Sequence, residues 1–369
     1  MKIAFLIELF YPHVAGCENR FLEIGKKLSS RGHDVHVFTL LHESSLPREE
    51  TVEGITVHRC AYSGNYISPN GLRSLSGVLK YSFAASLRLF RKDFDVYYSN
   101  QWPVFHSLFA KPVARPLVQE WCEVSKDSLP AEMLQEILKW TGDYHVAVSE
   151  FTRRRLTGFM GIKPEKVSVV PNGVDFSKFH AEEDKKTWGR IVYVGRLVPH
   201  KHVEMLIDAF NLVKKEAMDA ELHIVGEGPC LSALRQRAAR MKDCYVHGFL
   251  PEDEMIGLLN SSWLSVLPSE REGSSISVLE AMASSLPFVT TDFPNNAVKE
   301  LTEFNCGLVA DPNESSIASS ILQLFDDEEM YGQMSHNASS YAKEQDWNTV
   351  ADRMENLMHR VVQRSSAFE

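Results

Sequence analysis

Short aliphatic and β-branched runs alternate with longer amphipathic segments along this chain, and the alternation starts twice. Lys2 to Leu9 reads as a buried strand, Glu18 to Arg31 as a helix and Asp34 to Leu40 as a second strand. Gly32 stands where a helix C-terminus favours positive φ. The rhythm returns in strands at Arg190 to Val194, Glu221 to Val225 and Cys244 to His247, with helices at Val203 to Lys215 and Leu231 to Met241 between them. Such alternation predicts an α/β fold of mostly parallel sheets covered on both faces. Because it restarts after an irregular stretch at 171–189, two doubly wound domains are expected. Their boundaries are read as 1–172 and 173–345, with 346–369 a terminal helix, Trp347 to Val362, that returns to the first domain. Ligands of open α/β sheets meet the loops beyond the strands' carboxyl ends, so two facing domains would offer two loop sets across one cleft.

Composition narrows the function classes. The 369 residues suit two cores, and 44% hydrophobic with 24% charged residues excludes disordered and collagenous chains. A formal net charge of -10 argues against a nucleic-acid binder driven by counterion release. The charge is uneven: Met1 to Asp175 carries 21 Lys+Arg against 19 Asp+Glu, while Phe176 to Glu369 carries 18 against 30. The opening apolar run is short and contains Glu8, so it reads as a strand and not a secretory signal. No uncharged apolar stretch is long enough to span a membrane, which leaves a cytoplasmic or peripheral placement. Cys17, Cys60, Cys122, Cys230, Cys244 and Cys306 form no C-x-x-C pair, which disfavours a zinc site or a redox motif and suits reduced cytosolic thiols.

Candidate chemistry sits in strand-to-helix loops. The first, Tyr11 to Glu18, lacks the G-x-G-x-x-G spacing of a dinucleotide site, yet Gly16 would let backbone N–H groups approach an anion. Arg196 and Lys201 follow a strand end, where a guanidinium fork and an ammonium suit a diphosphate. Gly226-Glu227-Gly228-Pro229 meets neither a Rossmann fingerprint nor a P-loop and reads as a tight turn. Glu272, Gly273, Ser274, Ser275 and Ile276 lead into a helix that carries Glu280. Were the intervening residues helical, the two glutamates would lie about 12 Å apart, beyond the reach of a glycosidase carboxylate pair and suited to gripping two parts of one long ligand.

The ordered set E-x7-E (Glu272, Glu280), V-G-R-L-x-x-x-K (Gly195, Arg196, Lys201), V-P-N-G-V-D (Pro171 to Asp175), V-S-E-F-T (from Val148), G-E-G-P and G-L-V-A-D-P resembles the retaining glycosyltransferases of family 4, in the GT-B superfamily, over essentially the whole chain. The resemblance implies two Rossmann-like domains facing a cleft, a nucleoside-diphosphate-sugar donor held mainly by the second, no cofactor and no catalytic metal. It implies that Arg196 and Lys201 clamp the donor diphosphate with help from Gly16, that Glu280 binds ribose hydroxyls and Glu272 sugar hydroxyls, and that Gly248, Phe249 and Leu250 face the base. Arg196, Lys201 and Glu272 thereby become the catalytic candidates. Family members commonly carry an aromatic residue and Gly where this chain has Ser274-Ser275, and a sugar-contacting His where it has Ser99-Asn100-Gln101. Asn100, His106 and Glu123 are the acceptor-side candidates.

Leu72, Leu75, Val78, Leu79, Phe83 and Leu87 suit one face of a helix that also carries Arg73, Lys80, Arg88, Arg91 and Lys92. A basic amphipathic helix can lie on an anionic membrane, which points to a glycan or lipid-linked acceptor. A core helix with solvated cations is the alternative. For the whole protein, a GT-B nucleotide-sugar epimerase and a non-catalytic nucleotide-sugar-binding subunit are the competing readings.

Overall fold

The computed structural model describes residues 1–13, 15–68, 73–124, 129–179 and 186–366, in two compact units: Met1–Asn172 with Trp347–Glu369, and Gly173–Asp346. The first unit begins β1 (Lys2–Leu6), α1 (Gly16–Ser30), β2 (Asp34–Leu41), β3 (Glu49–Val52) and β4 (Ile55–Tyr62). It continues α2 (Leu75–Leu89), β5 (Val96–Ser99), α3 (Val104–Ala110), β6 (Leu117–Trp121), α4 (Leu129–Lys139), β7 (Tyr144–Ala147), α5 (Glu150–Gly158) and β8 (Val167–Val169). Its sheet runs β3-β4-β2-β1-β5-β6-β7-β8, and all pairs but β3–β4 are parallel. Strand β3 went unpredicted; it forms a hairpin with β4 through Glu53 and Gly54, both at positive φ as a two-residue turn of this kind requires.

Alternation along β1 assigns the faces. Phe5 meets Phe21 of α1 at 5.4 Å between ring centroids, while Ala4 and Leu6 join Val78 and Tyr81 of α2 and Ala110 of α3 in one apolar cluster. A neighbouring cluster links Val104 of α3, Leu138 of α4 and Leu156 of α5 through Trp121 and Ala147. Helices α2 to α5 therefore share the sheet face opposite α1, as right-handed crossovers toward β8 demand.

The second unit contains β9 (Arg190–Val194), α6 (Val203–Glu216), β10 (Glu221–Val225), α7 (Leu231–Ala238), β11 (Cys244–Gly248), α8 (Glu252–Ser261), β12 (Leu264–Leu267) and β13 (Arg271–Glu272). It then runs α9 (Ile276–Ala283), β14 (Phe288–Thr291), β15 (Asn295–Asn296), β16 (Gly307–Ala310), α10 (Glu314–Asp326) and α11 (Glu328–Glu344). Its main sheet is wholly parallel in the order β11-β10-β9-β12-β14-β16, and the small β13 pairs with β15. The chain winds outward from β9 to β11, then restarts at β12 on the other side. The order thus reverses between β9 and β12, the point where doubly wound sheets open a crevice.

The last helix, α12 (Trp347–Ser366), packs on α1 in the first unit. Arg31, at the C-cap of α1, pairs with Glu355 at 2.8 Å and with Asp352 at 2.7 Å, and His33 meets Glu355 at 2.8 Å.

Helix α2 distributes its apolar residues differently from the single face read in the sequence. Val78 is buried, whereas Leu75, Leu79, Phe83 and Leu87 are exposed; Leu72 lies outside the described residues.

Candidate active site

The loops that leave β9 and β12 meet at the reversal of strand order. After β9, Gly195 and Arg196 lead into a short 3-10 turn, Pro199–Lys201, and His202 takes a left-handed conformation before α6 begins. After β12, the Glu270 amide donates to the His200 carbonyl at 2.8 Å, and the Lys201 ammonium bonds the Glu272 carboxylate. Both side chains of that pair retain only 11% exposure. Two residues 71 positions apart are brought together, one from each loop.

Close backbone packing fixes the first of these loops. Gly226 and Gly228 both adopt positive φ; a Cβ at Gly226 would come within 1.9 Å of the Gly195 carbonyl oxygen, and one at Gly228 within 2.3 Å of that of Leu197. In return the Leu197 amide donates to Glu227 O at 2.7 Å and the Cys230 amide to Leu197 O at 3.0 Å. The G-E-G-P segment is thus more than a turn: it is the bed on which the Arg196 loop lies. The Tyr193 hydroxyl donates to Arg196 O at 3.0 Å and pins the same loop from below.

The loop is locally cationic in an acidic unit. Burial, aided by the charges of Arg271, Lys201, Arg196 and His202, lowers the pKa of His200 to about 4. Arg196 is exposed and has no ion-pair partner among the described residues. Arg271, on β13, was not singled out in the sequence; as one of many charged loop residues it had no motif to mark it.

Glu272 and Glu280 are not carried by one helix. Glu272 lies on β13, Ser275 caps the helix by accepting from the Val278 amide at 3.4 Å, and α9 starts only at Ile276. The separation of about 12 Å expected for a continuous helix therefore does not apply. Gly273 and Ser274 form the connecting bend, and Ile276 is the first helical residue. Glu280 sits one turn further along, its carboxyl making no hydrogen bond to a described residue. Desolvation raises its pKa to about 8, with Glu252 adding repulsion and Lys178 opposing it. Gly248 has φ 85° and its carbonyl accepts from the Gly226 amide at 2.8 Å, so the β11 loop joins the same row; Phe249 beside it is 72% exposed and Leu250 half-buried.

Two family models match successive parts of the chain: "Glycosyltransferase Family 4" over residues 14–178 and "Glycosyl transferases group 1" over residues 175–344. The chain is a family-4-like glycosyltransferase of GT-B fold. Among similar proteins, a GDP-mannose-dependent alpha-(1-6)-phosphatidylinositol dimannoside mannosyltransferase of Mycobacterium tuberculosis is 22% identical over 346 residues, 87% of each chain. An uncharacterized glycosyltransferase of Methanocaldococcus jannaschii is 25% identical over 97% of each chain. Among solved structures, the sucrose-phosphate synthase of Thermosynechococcus elongatus superposes with a TM-score of 0.83 at 15% identity, covering 98% of this chain and 99% of the other. Anabaena HepE in complex with UDP-glucose gives 0.77 at 18% identity, covering 98% and 100%.

In the glycosyltransferase's first unit, Gly16 opens α1, and a Cβ there would meet nothing within 4 Å, so space and not packing surrounds it. The three acceptor-side candidates differ. His106 is fully buried: its Nδ1 donates to the Pro103 carbonyl, its Nε2 accepts from the Ser99 hydroxyl at 2.7 Å, and burial lowers its pKa to about 4. It is a core histidine and is withdrawn as an acceptor contact. Asn100 donates to Trp102 O at 2.6 Å, while its buried Oδ1 has no hydrogen-bond partner among the described residues. Glu123 is held by Gln101, whose Oε1 accepts from the Glu123 amide at 3.2 Å and whose Nε2 donates to the Glu123 carbonyl at 2.9 Å.

A buried charge network escaped the sequence reading. Arg20 of α1 donates to Glu120 at 2.6 Å, Val170 O at 2.8 Å, Pro171 O at 2.5 Å and Asn172 Oδ1 at 3.2 Å. The Tyr98 hydroxyl also donates to Glu120. Cys17 and Cys122, distant in sequence, lie beside Glu120, and their mutual hydrogen bond with burial pushes the Cys17 thiol well up. A carboxylate already satisfied by Arg20 and a thiol held protonated are poor ligands for a cation.

Proposed function

We propose that the protein transfers a sugar, with retention of configuration, from a nucleoside-diphosphate sugar to a glycan or lipid-linked acceptor. The observation that carries this reading is the meeting of the Arg196–Lys201 loop with Glu272 at the reversal of strand order. There a diphosphate would take Lys201 from Glu272 and accept a second contact from Arg196, while the freed Glu272 carboxylate turns to the sugar hydroxyls. Gly16 would admit the diphosphate to backbone N–H groups at the start of α1. A Glu280 that keeps its proton near neutral pH can both donate to and accept from a ribose diol, and Gly248, Phe249 and Leu250 border the place for the base. The connecting Gly273, Ser274 and Ser275, with Ile276 behind them, would line the sugar.

The chemical step needs charge stabilised on the departing phosphate more than it needs a nucleophile. In the proposed reaction the glycosidic bond to the phosphate breaks as the acceptor oxygen attacks the same face of an oxocarbenium-like sugar, and the leaving phosphate takes the acceptor's proton. Arg196 and Lys201 supply the positive charge, so turnover is expected to withstand chelation of divalent metals. Asn100 and Glu123 remain the acceptor-side candidates. The relative named for GDP-mannose and the neighbour solved with UDP-glucose differ in donor base, so both belong in the test. A lipid-linked acceptor would bring the enzyme to the cytoplasmic surface of a membrane, and no helix among the described residues is long and apolar enough to cross one.

The test is a thermal-shift screen of UDP-, GDP- and ADP-sugars, followed by donor hydrolysis with the one that stabilises. A donor that binds the folded state raises its melting temperature, and Lys201→Ala should abolish that rise. Absence of stabilisation by any nucleotide sugar, or hydrolysis unchanged in both Arg196→Ala and Lys201→Ala, would reject the reading.

A further inference from the structure

The outer side of α2, α3 and α4 is apolar where a soluble surface is usually polar. On α2, Leu75, Leu79, Phe83, Leu87 and Phe90 recur every three or four residues and are 40 to 76% exposed, while Val78, Tyr81, Ala85 and Leu89 face the core. Helix α4 repeats the arrangement with Leu129, Met133, Ile137 and Trp140, 43 to 77% exposed, against a buried Leu138. Between them, α3 exposes Leu108 and Phe109. The three helices lie on one sheet face, α2 beside α3 and α3 beside α4. Soluble monomers rarely leave so many large apolar side chains contiguous on their surface.

Charge selects the occupant. From Leu75 to Lys92 the chain has Lys80, Arg88, Arg91 and Lys92 and no carboxylate. Lys80, Arg88 and Arg91 have no ion-pair partner among the described residues. Helix α4 adds Glu132 and Glu136, the latter paired with Lys139, so the unpaired charge of the face is mostly that of α2, and a twofold contact centred on α2 would set these cations against their own kind. An acidic, apolar-backed surface that tolerates two rows of inserted side chains is what they match.

We propose that the outer face of α2, α3 and α4 docks on an anionic lipid bilayer, with the apolar rows entering the interface and the α2 cations among the headgroups. The inference deepens the proposed function by naming the surface through which a lipid-borne acceptor is reached, but its test is independent of the donor. Charge attraction and apolar insertion act together in such binding.

The 369-residue chain is sedimented with vesicles of phosphatidylcholine containing phosphatidylglycerol, and with phosphatidylcholine alone, at low and high salt. Expected is preferential binding to the anionic vesicles, weakened by salt, and lowered about tenfold or more by Phe83→Glu/Leu87→Glu. A circular-dichroism spectrum and thermal midpoint matching the parent's check the fold of that variant. Quenching of tryptophan fluorescence by brominated lipid should fall in Trp140→Phe; equal quenching in both proteins would overturn the placement of α4. Equal binding to both vesicle types, or undiminished binding by the double variant, overturns the proposal. So does a dimer that the double variant dissociates while neither protein binds vesicles. Loss of donor binding with intact vesicle binding would instead count against the proposed function alone.

Discussion

The loop ends of the two units handle charge in opposite ways. In the first, the carboxylates near the ends of β1 and β6 are consumed internally: Glu8 by Tyr66 and Arg73, Glu120 by Arg20 and Tyr98. In the second, Lys201 and Glu272 hold one another, while Arg196 is exposed without an ion-pair partner among the described residues. The Arg20–Glu120 network, buried and hydrogen-bonded throughout, is a structural clamp. A pair at a sheet's crevice, beside an exposed cation, is one that a ligand can exchange.

The contrast breaks most visibly at Arg20. Arg20→Met removes one member of a buried pair and leaves the Glu120 carboxylate, whose pKa burial already raises, without its counter-charge. The expected loss is about 3–5 kcal/mol of stability in urea denaturation, with donor affinity of the folded protein unchanged. A loss confined to activity would make Arg20 part of the site instead. Lys201→Ala is expected to do the reverse: about a hundredfold or greater fall in kcat/KM with a smaller loss of stability than Arg20→Met, because its pair keeps 11% exposure where Arg20 and Glu120 keep 1% and none.

A pair of glycines sharpens the same distinction. Gly226→Ala forces a Cβ against the Gly195 carbonyl at positive φ, so the β9 loop must move. A destabilisation of about 2 kcal/mol should come with a smaller donor-induced thermal shift. Gly16→Ala meets open space and should leave stability level or slightly higher; reduced donor hydrolysis in that variant alone would place the ligand at Gly16.

What was legible in the sequence follows from how local each signal is. The three strands and two helices read between Arg190 and His247 fell within a few residues of their predicted ends because each carries its own periodicity and each strand ends at or beside a glycine, Gly195, Gly226 or Gly248. The Arg196–Lys201 and Glu272 loops were legible because short motifs mark them, whereas the Lys201–Glu272 contact requires knowing that β9 adjoins β12. Arg20 and Glu120, a hundred residues apart, look like surface charges until the fold buries them. Helix α2 is apolar on two sides, so a 3.6-residue period could not say whether Val78 or Leu79 faces the core. His106 shows the reverse: a histidine near a loop reads as functional until Pro103 and Ser99 are seen to occupy both its nitrogens.

The smallest expected effect tests whether the second unit also hides a titratable group behind its exchangeable pair. Glu280 has its pKa raised from 4.5 to about 8, so the folded protein holds a proton that the unfolded chain has released. Between those values the folded state binds more protons than the unfolded one, and stability must fall as pH rises. Glu280→Gln keeps the shape and removes the titration. Its stability relative to the parent should therefore grow from pH 5 to pH 8, by about 1–2 kcal/mol once residual solvent screening is allowed for. The same substitution should leave donor binding at pH 7 nearly unchanged, since a carboxamide, like a protonated carboxyl, can both donate to and accept from a diol. A stability difference that is flat with pH would mean that Glu280 is ionised in the folded protein, and the diol would then meet a carboxylate that only accepts.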